Sequence, residues 1–166
     1  MEEFQFLLNV DAPPSGELPQ DVHFGSKADG RQGDYCAILG PDARWSFTLE
    51  PGILSSTLSY SVAPGVFVIN HRGTIYWLDY ANRNAQVFRG RFGAYTSTQL
   101  PTGEVLAYDF CDACLVEGNG LRWQATDLSR DDLVFERIEG NAAIFSGWRT
   151  SPDQVFRFSI DLATGR

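Results

Sequence analysis

The sequence predicts an all-β protein built from antiparallel hairpin or meander units. Three observations predict it: short runs alternate apolar and polar residues, Gly/Asn/Asp turns punctuate them, and no long segment carries a helical period. The units are expected to form either a propeller-like partial array or a two-sheet sandwich.

Taken in order, "EFQFLLNV" sets Phe4, Phe6, Leu8 and Val10 on one strand face. Residues 11–34 are rich in Gly, Pro and Asp and read as a long surface loop, with room for a short strand at 21–24. Four hairpins follow. They turn at Gly40-Pro41-Asp42, His71-Arg72-Gly73, Gly118-Asn119-Gly120 and Glu139-Gly140-Asn141, residues that tolerate the positive φ of tight loops. "VFRFSIDL" closes the chain with near-alternation of Val155, Phe158 and Ile160.

The chain of 166 residues is expected to be one domain. Apolar runs begin near Tyr35, Val66, Val105 and Ala142, intervals of about 31, 39 and 37 residues that suggest four blade-like units. "CAILGPDARW" (36–45) and "CLVEGNGLRW" (114–123) share their Cys, Arg and Trp positions. They make segment 18–80 a candidate internal repeat of segment 100–162.

The formal net charge is −8, which disfavours nonspecific nucleic-acid binding. No apolar run approaches the roughly 20 residues of a membrane-spanning helix, and the N-terminus, opening on Glu2 and Glu3, lacks the basic region of a signal peptide. Three cysteines are an odd count for a disulfide framework. A soluble, cytoplasmic protein is expected. Residues 81–103 carry Arg83, Arg89 and Arg91 but no acid, so these arginines are either solvated or contact an anion or a partner. The thirteen basic residues include a single lysine, Lys27.

From Thr102 to the end, the chain combines a Gly-rich hairpin with a tryptophan (118–123), an L-S-x-D-x-L-like segment (128–133), a Gly-containing hairpin (139–148) and a closing "IDLATG" (160–165). In these features it resembles a group of small, uncharacterised bacterial all-β proteins. The resemblance implies a fold and brings no catalytic residue with it.

Cys111 and Cys114 form a C-x-x-C pair. A Cys3His zinc site would need Cys36 and a histidine to converge on them. A redox pair would need a following helix to lower a thiol pKa, and none is predicted. Both cysteines are therefore read as small apolar residues, Cys114 pointing inward and Cys111 near a strand end. His23 and His71 are the only imidazoles for a nucleophilic relay; His71, in a turn, is expected to be exposed, and His23 sits beside the long loop. Phosphate-binding glycine motifs are absent. No metal and no cofactor are expected.

Carboxylates crowd the span 109–139. The reading is a non-enzymatic binding protein, in the manner of an immunity or antitoxin-like protein that neutralises a basic protein partner. The candidate partner-binding residues are Asp109, Asp112, Asp131, Asp132, Trp148, Arg89 and Arg91. The alternative is a carbohydrate-active hydrolase or sugar-binding module using two of these carboxylates with Trp and Tyr faces.

Overall fold

The four apolar runs become the centres of four separate sheets. In the computed structural model the described residues are 4–8, 22–23, 34–41, 44–50, 54–91, 95–150 and 153–166. Most of the loop-rich segment 11–34 lies outside them, including all of its Gly/Pro stretch except the short strand at Val22–His23.

Sheet I contains β1 (Gln5–Leu8), β2 (Val22–His23), β3 (Asp34–Leu39) and β4 (Arg44–Leu49) in the order β1-β3-β4-β2, with β2 parallel to β4 and the other pairs antiparallel. Sheet II is the meander β5 (Thr57–Ala63), β6 (Val66–His71), β7 (Thr74–Asp79) and β8 (Asn84–Phe88). Sheet III is the meander β9 (Thr96–Gln99), β10 (Val105–Tyr108), β11 (Ala113–Glu117) and β12 (Gly120–Ala125). Sheet IV holds β13 (Val134–Glu139), β14 (Ala142–Thr150) and β15 (Asp153–Asp161).

The packing follows from strand alternation. In sheet II, Phe67, Ile69, Tyr76 and Leu78 face Cys36, Ile38, Trp45, Phe47 and Leu49 of sheet I. The intervening residues Val66, Val68, Ile75 and Trp77 face Val105, Ala107, Cys114 and Val116 of sheet III. Sheet III turns Leu106, Ala113, Leu115 and Trp123 toward Ala143, Phe145 and Ile160 of sheet IV. Sheets II and III are thus covered on both faces, which is why β6, β7, β10 and β11 read as nearly unbroken apolar runs. Among the described residues, no core cluster joins sheets I and IV, so the four units form an open row.

The turns carry the expected chemistry. The β6–β7 loop is Arg72-Gly73, with φ of 51° and 94°, the positive pair that a two-residue hairpin favours. At Gly40 the reason is contact: a Cβ there would stand 2.3 Å from Cζ of Tyr80, whose ring lies against the turn. Arg83 covers that ring in turn, 4.1 Å from its centroid.

The two hairpins with matching Cys and Trp positions pair differently. In β3–β4, Ile38 opposes Trp45 and Cys36 opposes Phe47, so Cys36 and Trp45 share one face and one core cluster. A register shift between Leu115 and Val116 displaces the second hairpin by one residue. Trp123 then opposes Leu115 and faces sheet IV, while Cys114 faces sheet II.

His71 departs from expectation. It ends β6 instead of standing in the turn, and it is fully buried because sheet I covers this end of sheet II. Its Nδ1 lies 2.8 Å from Thr57 Oγ1, and its Nε2 lies 3.1 Å from Oδ2 of Asp34. A carboxylate beside Nε2 favours the proton there, which leaves Nδ1 to accept from the Thr57 hydroxyl. The result is a clamp between sheets I and II.

No helix among the described residues is long and apolar enough to cross a membrane.

Candidate functional site

The "DFCDAC" turn, which joins β10 to β11, is built by its own acids. Asp109 Oδ1 accepts from the backbone N–H of Cys111 (2.9 Å) and of Asp112 (2.8 Å), and the Asp109 N–H donates to the Asp112 carbonyl. Such side-chain-to-backbone bonds are what make Asp a turn former. Asp112 Oδ1 accepts from the Asp127 N–H at 2.9 Å, which ties the turn to the loop following β12. Both Asp109 and Asp112 are buried; burial, followed by the charge of Asp109, holds the Asp112 carboxyl above its ordinary range.

The loop of residues 126–133 is strapped down on both sides. Leu133 N–H donates to the Phe110 carbonyl, Leu128 N–H to the Cys111 carbonyl, and Arg130 N–H to the Trp148 carbonyl. Ser129 is the pivot: its hydroxyl donates to the Asp131 carbonyl at 2.6 Å and accepts from the Trp148 N–H at 2.8 Å. A Cβ on Gly147 would stand 2.6 Å from that hydroxyl, so glycine is what lets the loop lie on β14.

The outcome is an acidic, partly apolar end to sheets III and IV. Asp127, Asp131 and Asp132 are exposed beside buried Asp109 and Asp112. Phe110 is 50% exposed, Val134 49%, and Trp148 38%. A cleft of about 200 Å³ opens there, lined by Tyr108, Asp109, Phe110, Asp132, Leu133 and Val134 among others. Desolvation, then the charges of Asp109, Asp112, Asp131 and Asp127, push the Cys111 thiol up. Its Sγ donates to the Arg130 carbonyl at 3.3 Å.

The structure thus gathers Asp109, Asp112, Asp131, Asp132 and Trp148 at one end, two of the acids facing inward. Arg91 joins them through a 2.6 Å ion pair with Asp127. Arg89 does not: it pairs with Glu50 at 2.8 Å. Arg89 and Arg91 of the acid-free segment 81–103 therefore meet carboxylates from elsewhere in the chain, while Arg83 lies over the Tyr80 ring.

Cys36 and Cys114 lie against opposite faces of sheet II, so the three cysteines do not converge. Among the described residues, no group of three or more His, Cys, Asp or Glu side chains is placed to hold a metal ion. Burial pushes the Cys114 thiol up to about 12, the opposite of what a nucleophilic or metal-binding thiolate needs.

Sequence reading missed a second cleft, of about 230 Å³, at the other end of the same two sheets. It lies between the β9–β10 turn and the β13–β14 turn, and its residues are scattered from Leu100 to Leu162. No local motif announces it.

The chain matches no protein-family model, no curated protein and no solved structure.

Proposed function

We propose that this is a non-enzymatic binding protein that engages a basic protein partner through the acidic end of sheets III and IV. The supporting observation is that exposed Phe110, Val134 and Trp148 stand beside Asp127, Asp131 and Asp132 on elements tied together by hydrogen bonds. Apolar anchors supply affinity at such a surface, and the surrounding carboxylates supply electrostatic steering and partner choice. The net charge of −8 extends the same attraction over the whole molecule.

An immunity or antitoxin-like role in a bacterial cytoplasm suits this chemistry, and kinship with the small bacterial all-β proteins belongs to the same reading. The carbohydrate-hydrolase alternative draws no support from Asp109 and Asp112: both are buried, and one oxygen of each accepts from backbone N–H groups of the turn and the loop. The test is affinity capture from lysate with the wild type and with an Asp127→Lys/Asp131→Lys/Asp132→Lys variant. A basic protein retained by the first and lost by the second supports the proposal; equal retention, or capture of acidic proteins alone, overturns it.

A further inference from the structure

An open row of four sheets has eight edge strands, and among the described residues β15 is unlike the other seven. Those span two to seven residues, and the three longest, β5, β12 and β13, are each interrupted by a register shift. Such a break twists an edge away from pairing with another chain. β15 instead runs nine residues, Asp153–Asp161, in unbroken register with β14. It contains no proline and no lysine. Its single arginine, Arg157, is held by Glu136 of β13 at 2.9 Å, so that charge is answered within the chain. Val155, Arg157 and Ser159 are exposed.

The hydrogen bonds around the strand show which way its backbone groups point. In an antiparallel ladder each residue directs its N–H and C=O to the same side, and successive residues alternate. Leu162 N–H donates to the Asn141 carbonyl, while Trp148 turns its N–H to Asp131 and its C=O to Arg130, away from β15. In the β14–β15 register, the even-numbered residues of β15 therefore bond to β14, and Val155, Arg157 and Ser159 direct their N–H and C=O outward. Asp161 keeps to the same alternation: its N–H donates to the Arg166 carbonyl, so the C-terminal turn closes the edge at that end. Among the described residues, no hydrogen bond reaches the outward backbone groups of Val155, Arg157 and Ser159.

We propose that β15 is a dimerisation edge: it pairs antiparallel with β15 of a second copy, about a two-fold axis at Phe156, and joins two three-stranded sheets into one of six strands. Residues directly opposed in antiparallel strands share a face, so the axis must pass where one residue meets its own copy. At Arg157 it would oppose two arginines, and like charges directly opposite are destabilising. At Phe158 it would bring Val155 of one copy against Asp161 of the other, whose N–H is already taken. At Val155 it would leave Ser159 beyond the end of the opposing strand. At Phe156, Val155 meets Arg157, Ser159 meets Asp153, and the whole open stretch is paired. The stem of Arg157 then covers Val155, 62% exposed in the single chain. The two Phe156 rings meet on the face where Phe156 already stacks on Phe158 at 5.1 Å.

The experiment is sedimentation velocity of the full chain over a dilution series, for the wild type and for Val155→Lys and Val155→Pro variants. The expected result is a monomer–dimer equilibrium in the wild type, weakened at least about tenfold by either substitution, because lysine adds like charge to the edge and proline removes an outward donor. Neither change touches a β14–β15 hydrogen bond, which a near-wild-type urea midpoint checks. Oxidation of single-cysteine substitutions reads the register. Phe156→Cys chains should cross-link, since their Cα atoms would stand about 4.5 Å apart as a non-hydrogen-bonded pair, and Gln154→Cys chains should not; the native cysteines are buried. A wild type that stays monomeric throughout, a dimer indifferent to both Val155 variants, or cross-linking of Gln154→Cys without Phe156→Cys would overturn the proposal. Added salt should tighten the dimer by screening two chains of net charge −8; a dimer that salt dissociates would be held by charge elsewhere and would also overturn it.

Discussion

Asp34 opens the first strand of sheet I's central hairpin, and its carboxylate lies 3.1 Å from Nε2 of His71, a fully buried residue of sheet II. The contact joins two sheets whose interface is mainly an apolar core. Arg72, 3.2 Å from the same carboxylate, and Thr57, on the other ring nitrogen, complete the surroundings of the pair.

Burial outweighs the pull of Asp34, and His71 therefore titrates below its ordinary 6.5. The unfolded chain takes up this proton first, so stability is full above about pH 6.5 and falls as pH drops toward the folded value. Urea midpoints should decrease from pH 7.5 to pH 5.5 in the wild type, and the decrease should be smaller in a folded His71→Asn variant. A midpoint that rises on acidification in the wild type but not in the variant would contradict the sign. Thr57→Val should cost about 1 kcal/mol by removing one neutral hydrogen bond.

The thiols are predicted to be inert in the folded state. Burial raises the Cys114 pKa from 9.0 to about 12 and raises that of Cys111 as well. An acid whose folded pKa is raised is stabilised below its unfolded pKa, so stability should erode as pH climbs above about 9. Iodoacetamide at pH 8 should label Cys36, Cys111 and Cys114 slowly in buffer and rapidly in urea. Fast native labelling of Cys111 would show that its turn opens.

The loop that presents Asp131 and Asp132 depends on Ser129. Removing its hydroxyl leaves the Trp148 N–H only its longer, 3.3 Å bond to the Asp131 carbonyl. Ser129→Ala should therefore lower stability by about 1–3 kcal/mol. Gly147→Ala should cost a similar amount through the 2.6 Å clash, within the usual range of about 1–3 kcal/mol for overpacking. Thermal denaturation of each variant checks both, and near-wild-type melting would show that the loop is held by other contacts.

The row of sheets implies unequal costs along β14 and β15. Phe145 is fully buried between sheets III and IV and contacts the rings of Tyr108, Phe135 and Phe158. Phe145→Ala should cost about 3–5 kcal/mol, as core aromatic truncations do. Val155, 62% exposed, should stay within about 0.5 kcal/mol of wild type when changed to Ala. Urea denaturation of the two variants makes the comparison.

Much of the fold was legible because it rests on local pattern. The starts near Tyr35, Val66, Val105 and Ala142 each fell in a different sheet, and the hairpin turns at Arg72-Gly73, Gly118-Asn119 and Gly140-Asn141 were visible as Gly and Asn signals, while Asp42 of the expected first turn lies outside the described residues. What was not legible depends on packing between sheets. His71 sits next to a turn sequence, and only the approach of Asp34, distant in sequence, buries it. The partners of Arg89 and Arg91 stand 39 and 36 residues away. Of the acids read as surface candidates, Asp109 and Asp112 turned inward, Asp109 because its Oδ1 caps the tight β10–β11 turn and Asp112 because its Oδ1 holds the Asp127 N–H of the following loop. The cleft at Glu104 draws its lining from two turns, three strands and the C-terminal tail, a convergence no single stretch of sequence carries.

The most direct test of the central claim is the ionic-strength dependence of association between the chain and the basic protein it captures. Steering by exposed carboxylates predicts a rate constant that falls steeply from low salt to physiological salt, and a rate lowered at least about tenfold at low salt in the Asp127→Lys/Asp131→Lys/Asp132→Lys variant. A rate independent of salt and unchanged by the triple reversal would contradict it.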